Sequence, residues 1–249
     1  MEELTMTDLK ESLQYAVELA LDEEKTVEVN EKVYYDRNKY DLTELDKKKY
    51  AETLTVNTLQ GIIDFIKAKF DRDGDRLVLH VKNPTTVKVL SQLDENGQRE
   101  NILTAVVDLP VYPFGRFLKP SDFIIQLQSI FQRNDDAKAL LEFTGAIKID
   151  NGIELNDNGV SQTTIVKSGA ATVASAKVPS PATLQPYRTF LEVPQPESAF
   201  IFRLDDEGRC ALFEADGGLW KNEAILNVRK YLEVAFKQEI EDSQINIIA

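Results

Sequence analysis

An α+β fold is predicted, made mostly of antiparallel meanders and hairpins with about four to five helices packed on the sheets. Three observations carry it. Apolar residues recur at every second position in short runs closed by turn residues, as in Phe200, Phe202 and Leu204 before Asp205-Asp206-Glu207-Gly208. Elsewhere they recur at helical spacing, as in Leu59, Ile62, Ile63, Ile66 and Phe70. The most regular alternation lies within Thr183–Leu219, where Tyr187, Thr189, Leu191 and Val193 point one way and Arg188, Phe190 and Glu192 the other. A strand with apolar residues on both faces suits the centre of a sheet, so Tyr187–Val193 is expected to be a central strand.

Along the chain, Thr7 caps a first helix to Leu21, with Leu9, Leu13, Ala16, Val17 and Ala20 on one face. Thr26–Tyr35 alternates like a strand pair, and the polar stretch Asp36–Lys49 is expected to be a loop or connector with little to bury. The organisation expected is an N-terminal helix and connector over 1–50 and an α+β domain over 51–249, with two meander subdomains meeting near 110–120. Leu54–Val56 opens that domain, Asn57 or Thr58 caps the next helix, and strands Arg76–Lys82, Thr86–Leu93 and Ile102–Leu109 form a meander split by Asp94-Glu95-Asn96-Gly97. After the loop PVYPFGRFLKP at Pro110–Pro120, Ser121 or Asp122 starts a helix with Phe123, Ile124, Leu127, Ile130 and Phe131 on one side. A shorter helix, Asp135–Phe143, ends at Gly145. Ala146–Ile149, Ile153–Leu155 and Val160–Lys167 follow as a second meander around two Asn/Asp-Gly turns. Ser168–Ser180 is small and low in complexity, a linker or an edge strand in which Val173 and Val178 keep some apolar rhythm. Asn222 caps the last long helix, with Ile225, Val228, Leu232, Ala235, Phe236 and Ile240 inward, Trp220 as a staple, and an apolar tail at Ile245, Ile247 and Ile248 that docks on its own domain or on a second copy.

Composition narrows the function. The 249 residues are 43% hydrophobic and carry a formal charge of −13 spread along the chain, which disfavours binding to a phosphate backbone. Lys47-Lys48-Lys49 is the one basic run, and Asp41, Glu44, Asp46 and Glu52 flank it. No stretch approaches the roughly 20 apolar residues that span a bilayer, and the first residues are acidic where a secretory signal is basic, so no membrane partner and a cytoplasmic location are expected.

Chemistry is sparse. One cysteine, Cys210, excludes an internal disulfide and a multi-cysteine zinc site, and one histidine, His80, removes most triad and histidine-metal designs. Asp71, Asp73 and Asp75 resemble the start of a calcium loop, but glycine comes at the fourth position where an EF-hand needs it at the sixth, and no glutamate follows at the twelfth. Asp205, Asp206, Glu214 and Asp216 form a second acidic grouping, the candidate site for a metal such as magnesium. No phosphate-cradling glycine pattern is present, so no cofactor and no catalytic residue is assigned. The aromatic loop supplies the candidate partner-binding residues Tyr112, Phe114, Arg116 and Phe117.

Two stretches, ETLTVNTLQGIIDFIKAKF with LVLHVKNPTTVKVLSQL, and ATLQPYRTFLEVPQPESAFIFRL with ALFEADGGLW, resemble a family of uncharacterised proteins of tailed phages and prophages of Gram-positive bacteria. The resemblance implies a phage origin and a place among early or accessory genes, and it transfers no functional residue. The function expected is a non-enzymatic phage accessory protein that self-assembles and binds a host or phage protein. Other readings are an acidic decoy of a host nucleic-acid-binding or defence protein, a metal-dependent nuclease or phosphodiesterase, and a virion structural protein.

Overall fold

The computed structural model describes residues 51–69, 76–95, 97–147 and 179–249 in full. Outside these it describes residues 10, 13 and 14 and the strand backbones at 26–29, 32–36, 42–44, 153–157, 162–168 and 171–172. The chain divides into two units, Met1–Ala51 and Glu52–Ala249.

In the first unit β1 (Thr26–Val29), β2 (Lys32–Asp36) and β3 (Leu42–Glu44) form an antiparallel meander in that order. Register pairs Val29 with Lys32, so β1 and β2 make the strand pair that alternation predicts. The stretch Asp36–Lys49, expected to be a loop, instead contributes β3, with Thr43 opposite Tyr35. A three-residue strand is held by main-chain hydrogen bonds and needs no apolar alternation, which is why periodicity passes over it. Of the helix expected over Thr7–Leu21, only Lys10, Leu13 and Gln14 are among the described residues, and these are helical.

The second unit begins with β4 (Leu54–Val56), α1 (Leu59–Ala68), β5 (Leu77–Asn83), β6 (Thr86–Ser91) and β7 (Asn101–Val106). Then come α2 (Pro120–Ile130), α3 (Asp135–Ala146), β8 (Ile153–Asp157), β9 (Gln162–Ser168) and β10 (Ala171–Thr172). β11 (Ala182–Leu184), β12 (Ser198–Leu204), β13 (Cys210–Glu214), α4 (Trp220–Ala235), α5 (Lys237–Glu241) and β14 (Ile245–Ile248) complete it. The fold is α+β. A five-stranded sheet has the order β14-β5-β6-β7-β4, and two three-stranded sheets have the orders β11-β12-β13 and β10-β9-β8.

The large sheet is antiparallel at its centre, but both edges are parallel: β4 runs with β7, and β14 with β5. The apolar tail therefore docks on its own unit, with Ile245 and Ile247 buried among the side chains that α1 and α4 press onto the sheet. Leu59, Ile62 and Ile63 of α1 and Val228 and Leu232 of α4 face Leu79, Val87, Val89 and Leu103 in this core. α1 starts where the Thr58 hydroxyl accepts from the Gly61 amide at 3.1 Å, and the Glu192 carboxylate reaches across to accept from the Leu59 amide at 2.7 Å. Gly61 lets the helix start close to β4, since a Cβ on it would stand 3.1 Å from the Val56 side chain, which would have to shift to admit it. Phe70 and the aspartates at 71–75 lie outside the described residues.

A second core lies under β11, β12 and β13, where Phe200, Phe202, Leu204 and Leu212 meet Phe123, Leu127 and Ile130 of α2 and Leu140 and Phe143 of α3. Pro120 occupies the first turn of α2, and Asn134 caps α3 by accepting from the Ala137 amide at 2.8 Å. α3 runs through Gly145 to Ala146, so the strand expected from Ala146 does not start there. The β12–β13 hairpin turns as expected through Asp205–Gly208, with Gly208 at φ 75°. β8 and β9 match the second and third strands expected of the second meander, and the third strand of their sheet is β10, an edge strand within Ser168–Ser180, in place of Ala146–Ile149; Val173 and Val178 lie outside the described residues.

The central strand expected at Tyr187–Val193 is absent: these residues form an irregular segment between β11 and β12. Four of its backbone groups are paired by one side chain. Gln195 accepts from the amides of Arg188 (2.9 Å) and Thr189 (3.2 Å) and donates to the carbonyls of Phe190 (3.0 Å) and Val193 (3.3 Å). A glutamine here does what a neighbouring strand would do. Phe190 and Val193 join the first core, while the start of the segment is tied to the end of α2 by the Tyr187 amide donating to the Ile130 carbonyl at 2.8 Å. Asn222 does not cap α4, which starts two residues earlier behind Leu219, with the Asp216 carboxylate accepting from the Gly218 amide at 3.0 Å.

Candidate binding cleft

The loop Pro110–Pro120 is laid along the free edge of β13. Leu118 and Cys210 exchange both backbone hydrogen bonds at 2.8 Å, and the Gly115 amide donates to the Leu212 carbonyl at 2.8 Å. Gly115 sits at φ 74°, where a side chain would be strained. The anchoring turns the aromatic side chains in opposite directions. Tyr112 is 2% exposed, its ring 4.8 Å from Phe114 and edge-on to Phe131 at 5.1 Å. Phe114 stacks on Phe200 at 5.2 Å. Arg116 is exposed, and Phe117 is 40% exposed with its ring edge-on to Phe213.

The four candidate partner-binding residues are thus divided. Tyr112 and Phe114 belong to the second core and line a cleft of about 400 Å³, while Arg116 and Phe117 lie outside it. Val107, Leu109, Pro110, Val111 and Tyr112 form one wall, Pro186, Tyr187 and Arg188 another, and Trp220 and Lys221 at the start of α4 close the third side. Val111 stands at the mouth, 86% exposed.

Arg188 is the charged centre of this cleft. Its side chain is 9% exposed, and the guanidinium carbon lies 4.0 Å from the centre of the Trp220 ring and 5.6 Å from that of Phe200. One terminal nitrogen donates to the Glu214 carboxylate at 2.9 Å. The other donates to the Ser198 hydroxyl at 2.5 Å, and that hydroxyl donates onward to the Asp216 carboxylate at 2.7 Å. Burial lowers the Arg188 pKa from its usual value, and Glu214 and Asp216 pull against it, so the group stays charged. For Asp216 burial pushes upward, but hydrogen bonds from Ser198 and the Gly218 and Trp220 amides, with the Arg188 charge, hold it below the usual carboxylate range. Three buried polar atoms of the cleft residues, Tyr112 Oη, Arg188 Nε and Trp220 Nε1, have no hydrogen-bond partner among the described residues. Buried donors without partners are uncommon and costly.

The acidic grouping is not assembled into a site. Asp205 turns back on its own hairpin, accepting from the Glu207 and Arg209 amides and pairing with Arg209 Nε at 2.7 Å. Glu214 and Asp216 lie at the other end of the hairpin on Arg188 and Ser198. Four residue steps, roughly 14 Å at about 3.4 Å each, separate the rung of Leu204 and Cys210 from that of Phe200 and Glu214. Asp206 is exposed. No cluster of three or more acidic, histidine or cysteine side chains suited to a metal occurs among the described residues. Burial pushes the Cys210 thiol up to about 12, which leaves it protonated and unreactive. His80 is half-buried on the face of β5 opposite Leu79 and Val81.

Alternation concealed the central members of the cleft. Alternation makes Arg188 one residue of a central strand, on the face shared with Phe190 and Glu192, and Trp220 an apolar staple; the single tryptophan beside a Gly-Gly turn is the one local signal. No protein-family model, no curated protein and no solved structure matches the chain. No helix among the described residues is long and apolar enough to cross a membrane.

Proposed function

We propose that this chain is a non-enzymatic accessory protein, of the phage and prophage kind that its sequence resembles, which binds a protein partner through the cleft around Arg188. The observation that carries the reading is a cleft of about 400 Å³ with apolar and aromatic walls around the Arg188 guanidinium, and a valine left 86% exposed at its mouth. Concave, mostly apolar sites with a few placed polar groups are what ligands and partner side chains occupy. Asp205, Glu214 and Asp216 of the acidic grouping are engaged in turn and ion-pair roles, which supports binding over hydrolysis. The docked tail withdraws one reason for self-assembly, since Ile245 and Ile247 are already covered. A second copy remains a partner that the same experiment identifies by mass.

A photo-crosslinking amino acid placed at Val111, in cells carrying the phage, should yield a discrete adduct. The same group at Ile125, exposed on α2, should not. Equal labelling from both positions, or none from Val111, would overturn the assignment of the cleft.

A further inference from the structure

The five strands of the large sheet contain no aspartate or glutamate, in a chain whose 42 acidic residues outnumber its 29 lysines and arginines. Side chains alternate across a strand, so while Leu79, Val81, Val87 and Val89 face the core, His80 and Lys88 stand opposite each other on the other face, next to Ile248 and Thr104. None of these four is buried, and Lys82 is exposed beside them. Where β5 and β14 begin, a groove of about 470 Å³ is lined by Arg76, Val78, Gln92, Arg99, Gln244 and Asn246, among others. Arg99 donates to the Ser91 carbonyl at 2.9 Å, and neither arginine makes an ion pair with a described residue. Asp94 accepts from the Gln98 amide in its own turn, Glu100 is 6% exposed, and neither lines the groove.

We infer that this face binds a short acidic segment of another protein that also carries aliphatic residues, with a carboxylate seated in the groove of Arg76 and Arg99. Charge selects the sign of the occupant: Arg76, Lys82, Lys88 and Arg99 make the face positive on a chain that is negative as a whole. An arginine fork matches a carboxylate. The side chains between the cations select which anion. Val78 and Leu90 stand opposite each other, Ile248 is 43% exposed, and the five strands contain no phenylalanine, tyrosine or tryptophan. Single-stranded nucleic acid depends on such rings for stacking its bases, whereas aliphatic residues of a peptide pack on aliphatic neighbours. A short segment also meets less of the remaining acidic surface than a long polyanion does.

A fluorescein-labelled dodecapeptide of repeated Glu-Leu-Asp, titrated into the full chain at low salt, should give a saturable rise in anisotropy that weakens as salt is added. Lys88→Glu and Arg99→Glu, neither at a buried position, should each weaken the affinity by roughly three- to tenfold. Lys138→Glu changes the net charge equally, on an α3 side chain that is 76% exposed, and should leave the affinity unchanged. Val111→Lys, at the mouth of the Arg188 cleft, should also leave it unchanged, which separates the two sites. No saturable binding, or equal losses in Lys138→Glu and Lys88→Glu, would overturn the proposal. Tighter binding of a fluorescein-labelled oligothymidylate of the same length would give the face to nucleic acid. Oligomers of the chain alone that Lys88→Glu dissociates would give it to a second copy. Either result sinks the assignment to an acidic segment of another protein.

Discussion

The Thr189 hydroxyl donates to the Pro84 carbonyl at 2.5 Å across 105 residues of chain, and both residues are buried. Pro84 sits in the β5–β6 turn of the large sheet, and Thr189 in the irregular segment that feeds the small one. The bond therefore fastens the segment bearing Arg188 to the larger core. Thr189→Val keeps the shape and leaves the Pro84 carbonyl unsatisfied, for an expected loss of about 1–3 kcal/mol in urea unfolding.

Gln195 holds the same segment from the other side. Gln195→Ala should cost at least about 2 kcal/mol, because several buried backbone groups lose their only side-chain partner. Gln195→Glu should fail as well, since a carboxylate cannot donate to the Phe190 and Val193 carbonyls. Near-normal stability of the glutamate variant would show that the donated bonds are dispensable.

Asp216 gives a pH dependence of known sign. Its folded pKa is depressed, so its contribution is present above the unfolded value and is lost as pH falls through the folded one. Asp216→Ala should be less stable than the parent at pH 7, by about 1.5–3 kcal/mol for the charge-assisted bonds. The gap should narrow as the solution is acidified below the usual carboxylate range. A gap independent of pH would mean that packing, not ionisation, is the source.

The aromatic loop separates two serine substitutions that its sequence makes look alike. Phe114→Ser removes a ring stacked on Phe200 and should cost about 3–5 kcal/mol. Phe117→Ser removes a ring that is 40% exposed and keeps one edge-on contact with Phe213, and should cost less, about 1–2 kcal/mol. Thermal unfolding of the pair distinguishes a core aromatic from a surface one.

Cys210 should stay unlabelled by a thiol reagent in the native protein and react at the rate of global unfolding. Rapid native labelling would place the thiol at the surface.

Elements whose signal is local were legible in the sequence. The alternation of Phe200, Phe202 and Leu204 and the glycine at 208 specify a hairpin without help from the rest of the chain. The stripe Leu59, Ile62 and Ile63 specifies α1 in the same way. Tyr187–Val193 alternates as well, but a glutamine side chain, not a strand, pairs with its backbone, and nothing in the period distinguishes the two. The direction of β14 was hidden for a related reason: an apolar tail reveals that it will be covered, not which edge receives it. Of the cleft, the aromatic wall at Tyr112 and Phe114 was visible, while the stack of Arg188 on Trp220 joins residues 32 positions apart and exists only in the folded chain.

The parallel docking of β14 on β5 also sets an order of events during synthesis. Leu77–His80 emerges from the ribosome early, and β6 can pair with one side of it at once. The other side waits for Ile245–Ile248, so that edge of the nascent sheet stays open while most of the chain is still being translated. Unpaired edges in a growing chain attract other strands, and this one is the place where a chaperone would be expected to stand guard.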